Sequence, residues 1–392
     1  MTAPAASRPA LPDFEVAPFI VIWEMTQACD LACLHCRASA QPRRRPDELT
    51  TDEAKRLMDD VRAMGHPLFI LTGGDPLKRP DTVEIVEYGT RIGLRVAMTP
   101  SGTPLLTPGV LAELRDAGLA RLAVSLDGST AAVHDRFRGV DGSFDASVRM
   151  LRVARELGLS TQINTTIHRG NVDDLEPLSL LAAGLGIALW SLFVVVPTGR
   201  AHRGQLPTAE ELEEVFARVA GWAEALPFDV KTTAAPHYRR VAMQRARDAK
   251  RDAKRDALRD GVPLPPAPVR WPVGVAAAGE IGRIRGVTDG NGFVFVGHTG
   301  DIYPSGFLPL RAGNVRTHDL AAVYRESPLF RALRDRDHYA GKCGVCDFRW
   351  VCGGSRARAY AMTGDATASD PLCSYLPPAY DATAATSDED ER

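Results

Sequence analysis

The sequence predicts an α/β fold: a parallel sheet curled into a partial (β/α)6 barrel, followed by a small C-terminal α+β extension. Three observations carry that expectation. Apolar, β-branched runs of strand length recur six times in the first half of the chain. Stretches of helical periodicity separate them, and parallel strands need such crossovers. Polar or glycine-rich motifs follow the strand runs, at the strand ends where parallel sheets and barrels place their sites.

The strand runs lie at residues 19–24, 67–72, 94–99, 121–126, 161–167 and 189–196. Helices are expected at 51–64, with Thr50 or Thr51 as N-cap and Glu53 behind it, then at 81–92, 108–117, 144–157, 172–185 and 207–226. Residues 247–258 repeat every four positions, with Ala249, Ala253 and Ala257 on one face and Asp248–Arg251 and Asp252–Arg255 as opposite-charge pairs. They read as a solvated surface helix. Pro263-Leu-Pro-Pro266 reads as a linker. From Gly292 to Pro304 two short strands meet at a Thr299-Gly300 turn, a hairpin signal.

The expected division is a flexible lead-in at 1–17, a barrel at 18–228, a helical and linker segment at 229–289, an extension at 290–378 and a disordered tail at 379–392. The 392 residues suit one large domain and a smaller one. A formal net charge of −2 leaves no nucleic-acid footprint. No run reaches the roughly 18 apolar residues of a membrane span, and the first residues lack the apolar core of a signal peptide. Seven Cys fall into two clusters, 29/33/36 and 343/346/352/373. Such clustering points to metal in a reducing cytoplasm rather than to a disulfide framework.

Cys29-Asp-Leu-Ala-Cys33-Leu-His-Cys36 places three thiols on a loop after the first strand. Thiolates select iron–sulfur clusters, zinc or Cu(I). Zinc knots come as two ligand pairs, and a fourth ligand is missing here unless His35 supplies it. A four-iron cluster on three Cys leaves one iron open to a small molecule. Three Cys in this position resemble the radical S-adenosylmethionine (SAM) superfamily. The resemblance implies a [4Fe–4S] cluster on Cys29, Cys33 and Cys36 whose open iron chelates SAM. The reduced cluster would cleave SAM to a 5′-deoxyadenosyl radical that abstracts a substrate hydrogen, fed by a flavodoxin- or ferredoxin-type electron donor.

Companion motifs follow in order. Gly73-Gly74-Asp75-Pro76 resembles the family's Gly-Gly-Glu-Pro, with Asp for Glu; its glycines would let the backbone approach the SAM methionine moiety. Ser125 and Asp127 resemble residues that face the ribose or methionine part. Arg138, in His134-Asp-Arg-Phe-Arg138, sits where relatives bind the SAM carboxylate, with Arg136 as the neighbouring choice and an ion pair as the structural alternative. Asn164 is placed either to bond the ribose or to bond local backbone.

Cys343-x2-Cys346-x5-Cys352-x20-Cys373 supplies four thiols and a closed site. A structural zinc would use all four. The spacing also resembles the SPASM or twitch extension of radical SAM maturases, which implies an auxiliary [4Fe–4S] cluster. The second auxiliary site of the full extension is lost: Ser305 ends the Gly300-Asp-Ile-Tyr-Pro-Ser305 hairpin motif where Cys is expected, and Arg356 takes the next Cys position. One auxiliary cluster, carrying electrons, is therefore expected.

Segments around residues 235–240 and 352–360 resemble the radical SAM enzymes of alternative haem and haem d1 synthesis, which act on propionates of iron porphyrins. That resemblance offers Arg239, Arg240, Arg356 and Arg358 for carboxylates and His237 or His298 for iron. A tetrapyrrole is the preferred substrate expectation, a peptide the alternative with the same chemistry, and a non-catalytic iron–sulfur or zinc protein the third.

Overall fold

The computed structural model describes residues 13–260 and 286–381. The expected linker at 263–266, most of the lead-in and the acidic tail lie outside them. Apolar runs become the strands β1 (Ile20–Glu24), β2 (Leu68–Thr72), β3 (Arg95–Met98), β4 (Arg121–Ser125), β5 (Thr161–Ile167) and β6 (Leu189–Val194). All pair in parallel with their sequence neighbours. The crossovers are α1 (Thr51–Ala63), α2 (Thr82–Arg91), α3 (Pro108–Asp116), α4 (Ala131–Arg138), α5 (Ser143–Glu156) and α6 (Leu175–Leu185). The Thr50 side chain accepts from the Glu53 N–H while Glu53 accepts from the Thr50 N–H, closing the expected capping box. This is the partial barrel of the sequence expectation.

Two features went unanticipated. His134 to Arg138 lies on the short helix α4, which ends at Gly139 in the left-handed region. After α7 (Ala209–Ala225), the short polar run β7 (Asp229–Thr233) adds a parallel strand beside β6. The charged four-residue repeat is the C-terminal half of a 23-residue helix, α8 (Tyr238–Asp260), and its Asp248–Arg251 and Asp252–Arg255 pairs form on exposed faces.

The expected hairpin forms as β8 (Phe293–Val296) and β9 (Asp301–Tyr303), and β10 (Gly313–Asn314) extends it. It does not stand apart. β8 pairs in parallel with β1, so one ten-stranded sheet runs β10-β9-β8-β1-β2-β3-β4-β5-β6-β7 among the described residues. The extension continues through α9 (Leu320–Glu326), α10 (Pro328–Arg334), the single turn α11 (Gly341–Gly344) and α12 (Arg356–Thr363).

Side-chain alternation sorts the sheet into two faces. Val21, Trp23, Phe69, Val124, Ile163, Trp190 and Val294 are 0% exposed and pack in the main core with α1, α5, α6 and α7. Their register neighbours Glu24, Ser125, Asn164, Ser191 and Phe295 therefore point to the inner face of the barrel. The core sits between sheet and helices, and the inner face is left for chemistry.

Candidate active site

The thiol triad follows β1 at the carboxyl end of the sheet, held by three neighbouring loops. From β2, Gly74 N–H donates to the Thr26 carbonyl at 2.8 Å and Asp75 N–H to the Ala28 carbonyl at 2.6 Å. From α4, the Arg138 and Phe137 carbonyls accept from Ala32 and Leu34 at 3.2 and 3.0 Å. From the Pro197-Thr-Gly-Arg200 turn after β6, Arg200 N–H donates to the Cys36 carbonyl at 3.0 Å.

Glycine is required at two of these contacts. A Cβ on Gly74 would stand 2.4 Å from the Ala28 oxygen, and one on Gly199 2.3 Å from the Arg37 oxygen, at φ +66°. The Gly-Gly pair thus lets β2 lie flush against the thiol loop.

Cys29 and Cys33 are buried and pack together with Leu31, against Cys36, Ala40 and Val140. Each thiol takes a donor: Leu31 N–H at 3.4 Å from Cys29 Sγ, Arg138 Nη1 at 3.6 Å from Cys33 Sγ, and Ala40 N–H at 3.4 Å from Cys36 Sγ. Ser101, on the loop after β3, brings its hydroxyl within 3.4 Å of Cys29 Sγ. Burial pushes the Cys29 thiol up, so loading metal there must release a proton. Hydrogen bonds into sulfur favour the thiolate, as a soft-metal site needs.

Arg138 is directed at this triad. Its Nε donates to Asp127 at 2.6 Å, and Asp127 is fully buried. Burial alone would push Asp127 up; Arg138, His35 and His134 outweigh it and hold the carboxyl below its ordinary range. The other Asp127 oxygen accepts from Thr166 N–H at 2.7 Å. Arg138 thus serves as a fixed positive charge beside Cys33. Behind it, the His35, Phe137 and His168 rings stack with centroids 4.1 and 3.8 Å apart, which fixes the ring before the last Cys.

Asp75 joins two loops of the site. Its side chain accepts from Thr103 Oγ1 at 2.7 Å and Leu77 N–H at 3.1 Å, fully buried, tying the loops after β2 and β3. Pro76 starts the following 3-10 turn. Ser125, Asn164, Ser191 and Lys231 are register partners across β4 to β7 and form a polar band on the inner face. Asn164 accepts from Gln162 through Oδ1 at 2.6 Å, which leaves its amide N–H groups for a ligand.

In the extension, Cys343, Cys346, Cys352 and Cys373 line one small cavity, with Arg240, Lys342 and Tyr375 on its wall. Gly354 N–H lies 3.3 Å from Cys352 Sγ, Phe348 N–H 3.4 Å from Cys346 Sγ, and Arg356 Nη2 3.6 Å from Cys343 Sγ. Burial pushes Cys352 up to about 12. Among the described residues no three His, Cys, Asp or Glu side chains close around a single metal ion. A multi-iron cluster takes one thiol per iron, so its ligands stand farther apart. The all-thiol donor sets, three on the barrel loop and four in the extension, are of the chemical kind that iron–sulfur clusters or zinc take.

The arginines offered for substrate carboxylates are structural. Arg358 is fully buried and pairs with Asp370 at 2.9 and 2.6 Å, and its Nη1 donates to the Ala234 carbonyl. Arg356 donates to the Ala366 and Ala368 carbonyls, Arg239 to Val351 and Val287, and Arg240 to Glu213. His237 is 0% exposed, edge-on to Phe216 at 4.6 Å, and out of reach of a substrate iron. His298 differs: its Nδ1 lies 2.7 Å from Glu24 at the barrel mouth.

A sequence model of the radical SAM superfamily matches residues 23–181. The AdoMet-dependent heme synthase of Oleidesulfovibrio alaskensis is 40% identical over 369 residues, covering 94% of this chain and 90% of that protein. The PqqA peptide cyclase of Rhodopseudomonas palustris is 29% identical, covering 92% and 88%. The crystal structure of Streptococcus suis SuiB bound to S-adenosylmethionine superposes with a TM-score of 0.68 at 14% identity, covering 92% of this chain and 78% of that one. No helix among the described residues is long and apolar enough to cross a membrane.

Proposed function

The chain belongs to the radical SAM superfamily and is an enzyme of it, and within that family we propose that it removes hydrogen from a carboxylate-bearing tetrapyrrole during haem synthesis. The observation that carries the substrate is the 40% identity along 94% of the chain with a heme synthase, against 29% with a peptide cyclase. The family implies a [4Fe–4S] cluster and SAM.

Cys29, Cys33 and Cys36 would hold the cluster, and Arg138 with the N–H groups of Leu31 and Ala40 offsets the negative charge of their thiolates. Bound there and reduced, the cluster supplies the electron that cleaves SAM to a 5′-deoxyadenosyl radical. Ser125 and Asn164 are the residues assigned to the polar part of SAM, through a hydroxyl and an amide on adjacent strands. Gly73 and Gly74 set the floor beneath it, and Asp75, Pro76 and Asp127 hold their loops.

A substrate radical must lose or regain one electron to end as a closed-shell product. Cys343, Cys346, Cys352 and Cys373 would hold one auxiliary cluster, with no thiol position left open, which suits electron transfer. A flavodoxin- or ferredoxin-type protein is the proposed donor.

The test is anaerobic reconstitution. Dithionite-reduced wild type is expected to release 5′-deoxyadenosine from SAM and Cys33→Ala to release none; equal behaviour defeats the enzyme reading. Addition of a propionate-bearing iron porphyrin is expected to shift its Soret band. A band that does not move defeats the tetrapyrrole reading and favours the peptide.

A further inference from the structure

One wall of the barrel mouth carries a charged group that the SAM assignments leave unused. Glu24 ends β1, points inward and is 3% exposed. One of its oxygens pairs with Arg37, and the other is 2.7 Å from His298 Nδ1. Arg37 follows Cys36 directly, and its guanidinium carbon sits 4.5 Å above the Phe295 ring. Among the described residues its hydrogen bond runs from Nη2 to Glu24, while Nε and Nη1 have no partner.

A guanidinium is planar and carries five donors, so a carboxylate on one side and a ring beneath fix its orientation and leave donors facing outward. Such a fork suits a carboxylate. A buried arginine kept only for packing would have its donors consumed, as those of Arg358 are by Asp370 and Ala234.

The surroundings are aromatic. Tyr303 pairs with Phe295 in register on β9 and lies 6.3 Å from it. Phe193, inward on β6, lies 6.3 Å from Phe307. The turn at Ser305, where the lost cluster ligand would stand, is tied over this wall: Thr198 Oγ1 donates to the Phe307 carbonyl at 3.1 Å, and Gly306 packs on Phe295 and the Arg37 stem. Flat rings beside one oriented cation suit an aromatic acid.

We propose that Arg37 anchors a carboxylate of the substrate, with Glu24 and His298 positioning it, beside the aromatic side chains Phe193, Phe295, Tyr303 and Phe307. The tetrapyrrole reading supplies the identity of that substrate; the anchor requires only a flat aromatic acid.

Full-length reconstituted protein is titrated with iron coproporphyrin and its tetramethyl ester, followed by the Soret band, and with pyrenebutyrate and its methyl ester, followed by fluorescence. Wild type is expected to prefer each acid over its ester by about tenfold to a hundredfold, the range of a charge-assisted hydrogen bond. Arg37→Gln is expected to erase the preference and Arg37→Lys to keep part of it. The double variant Glu24→Gln with Arg37→Gln leaves no orphaned carboxylate and is expected to erase it as well, with iron content reporting an intact fold. A preference that survives Arg37→Gln overturns the anchor. If the porphyrin fails to bind while wild type still selects pyrenebutyrate through Arg37, the tetrapyrrole reading falls and the anchor stands. If neither acid is preferred, the anchor falls.

Discussion

The thiol triad at the barrel mouth and the four-thiol cavity of the extension are built from the same donor atom but differ in what supports them. The triad hangs on a loop clamped by backbone bonds to strand ends on either side, with two close glycine contacts and one arginine aimed at Cys33. The four thiols surround a small cavity lined by short helices, turns and Arg240 of α8, backed by an ion pair, Arg358–Asp370, that is 0% exposed on both sides. The first arrangement spends its rigidity on the loop that carries the thiols. The second spends it on charge burial behind them. An open site needs its ligands positioned from outside, whereas a closed site can be ordered by the group it holds.

The largest expected effect separates the two directly. Cys33→Ala is expected to reduce 5′-deoxyadenosine release to background. Cys352→Ala is expected to lose a comparable share of iron, yet to raise the ratio of 5′-deoxyadenosine to product; iron assay and chromatography of both species check it. Equal ratios in the two variants would merge the roles of the sites.

Next in size is the buried pair. Arg358→Ala leaves Asp370 charged and unpaired with no solvent access, a loss of about 3–5 kcal/mol, read as a lower denaturant midpoint. Because that pair backs the four thiols and not the triad, auxiliary iron should be lost first. Gly74→Ala tests the opposite clamp: the added methyl meets the Ala28 oxygen, an overpacking cost of about 1–3 kcal/mol. Here the triad's iron should suffer while the extension stays loaded, as Mössbauer or EPR spectra of reduced samples would report.

A smaller effect concerns acid. Burial pushes His237 down to about 3; Asp370 opposes this while Arg358 and Arg240 reinforce it. The ring is neutral when folded and takes a proton in the unfolded chain below about 6.5. Unfolded chains therefore bind more protons between those values, and stability falls as pH drops through that window. His237→Phe keeps the ring against Phe216 and is expected to flatten the dependence, measured as unfolding midpoints at pH 7 and pH 5. Smallest of all, Gly184→Ala at an exposed position of α6, where a Cβ meets nothing within 4 Å, is expected to stabilise by about 0.5–1 kcal/mol and leave both sites as they are.

The barrel half was legible because each strand is a β-branched run buried under a helix, so composition and burial coincide. β7 escaped notice because Asp229-Val-Lys-Thr-Thr233 alternates polar residues inward and has one apolar residue to show for its outer face. The positions of both thiol sets follow from spacing alone. Side-chain direction does not: Arg138 was expected either at the SAM carboxylate or in an ion pair, and only the folded chain shows that its partner is the buried Asp127. Nor could spacing tell the structural arginines 356 and 358 from Arg37. A Glu closing an apolar strand and an Arg directly after the third Cys were the available signals, and only the return of β8 to β1 brings His298 to join them.

That return has a cost in time. Ile20 pairs with Phe293 across most of the chain, so β1 is a bare, apolar edge on one side until the C-terminal residues have been synthesised. Contacts of such sequence separation form late, and uncovered edges invite pairing with other chains. A chain cut at residue 260 is therefore expected to aggregate rather than load its first three thiols.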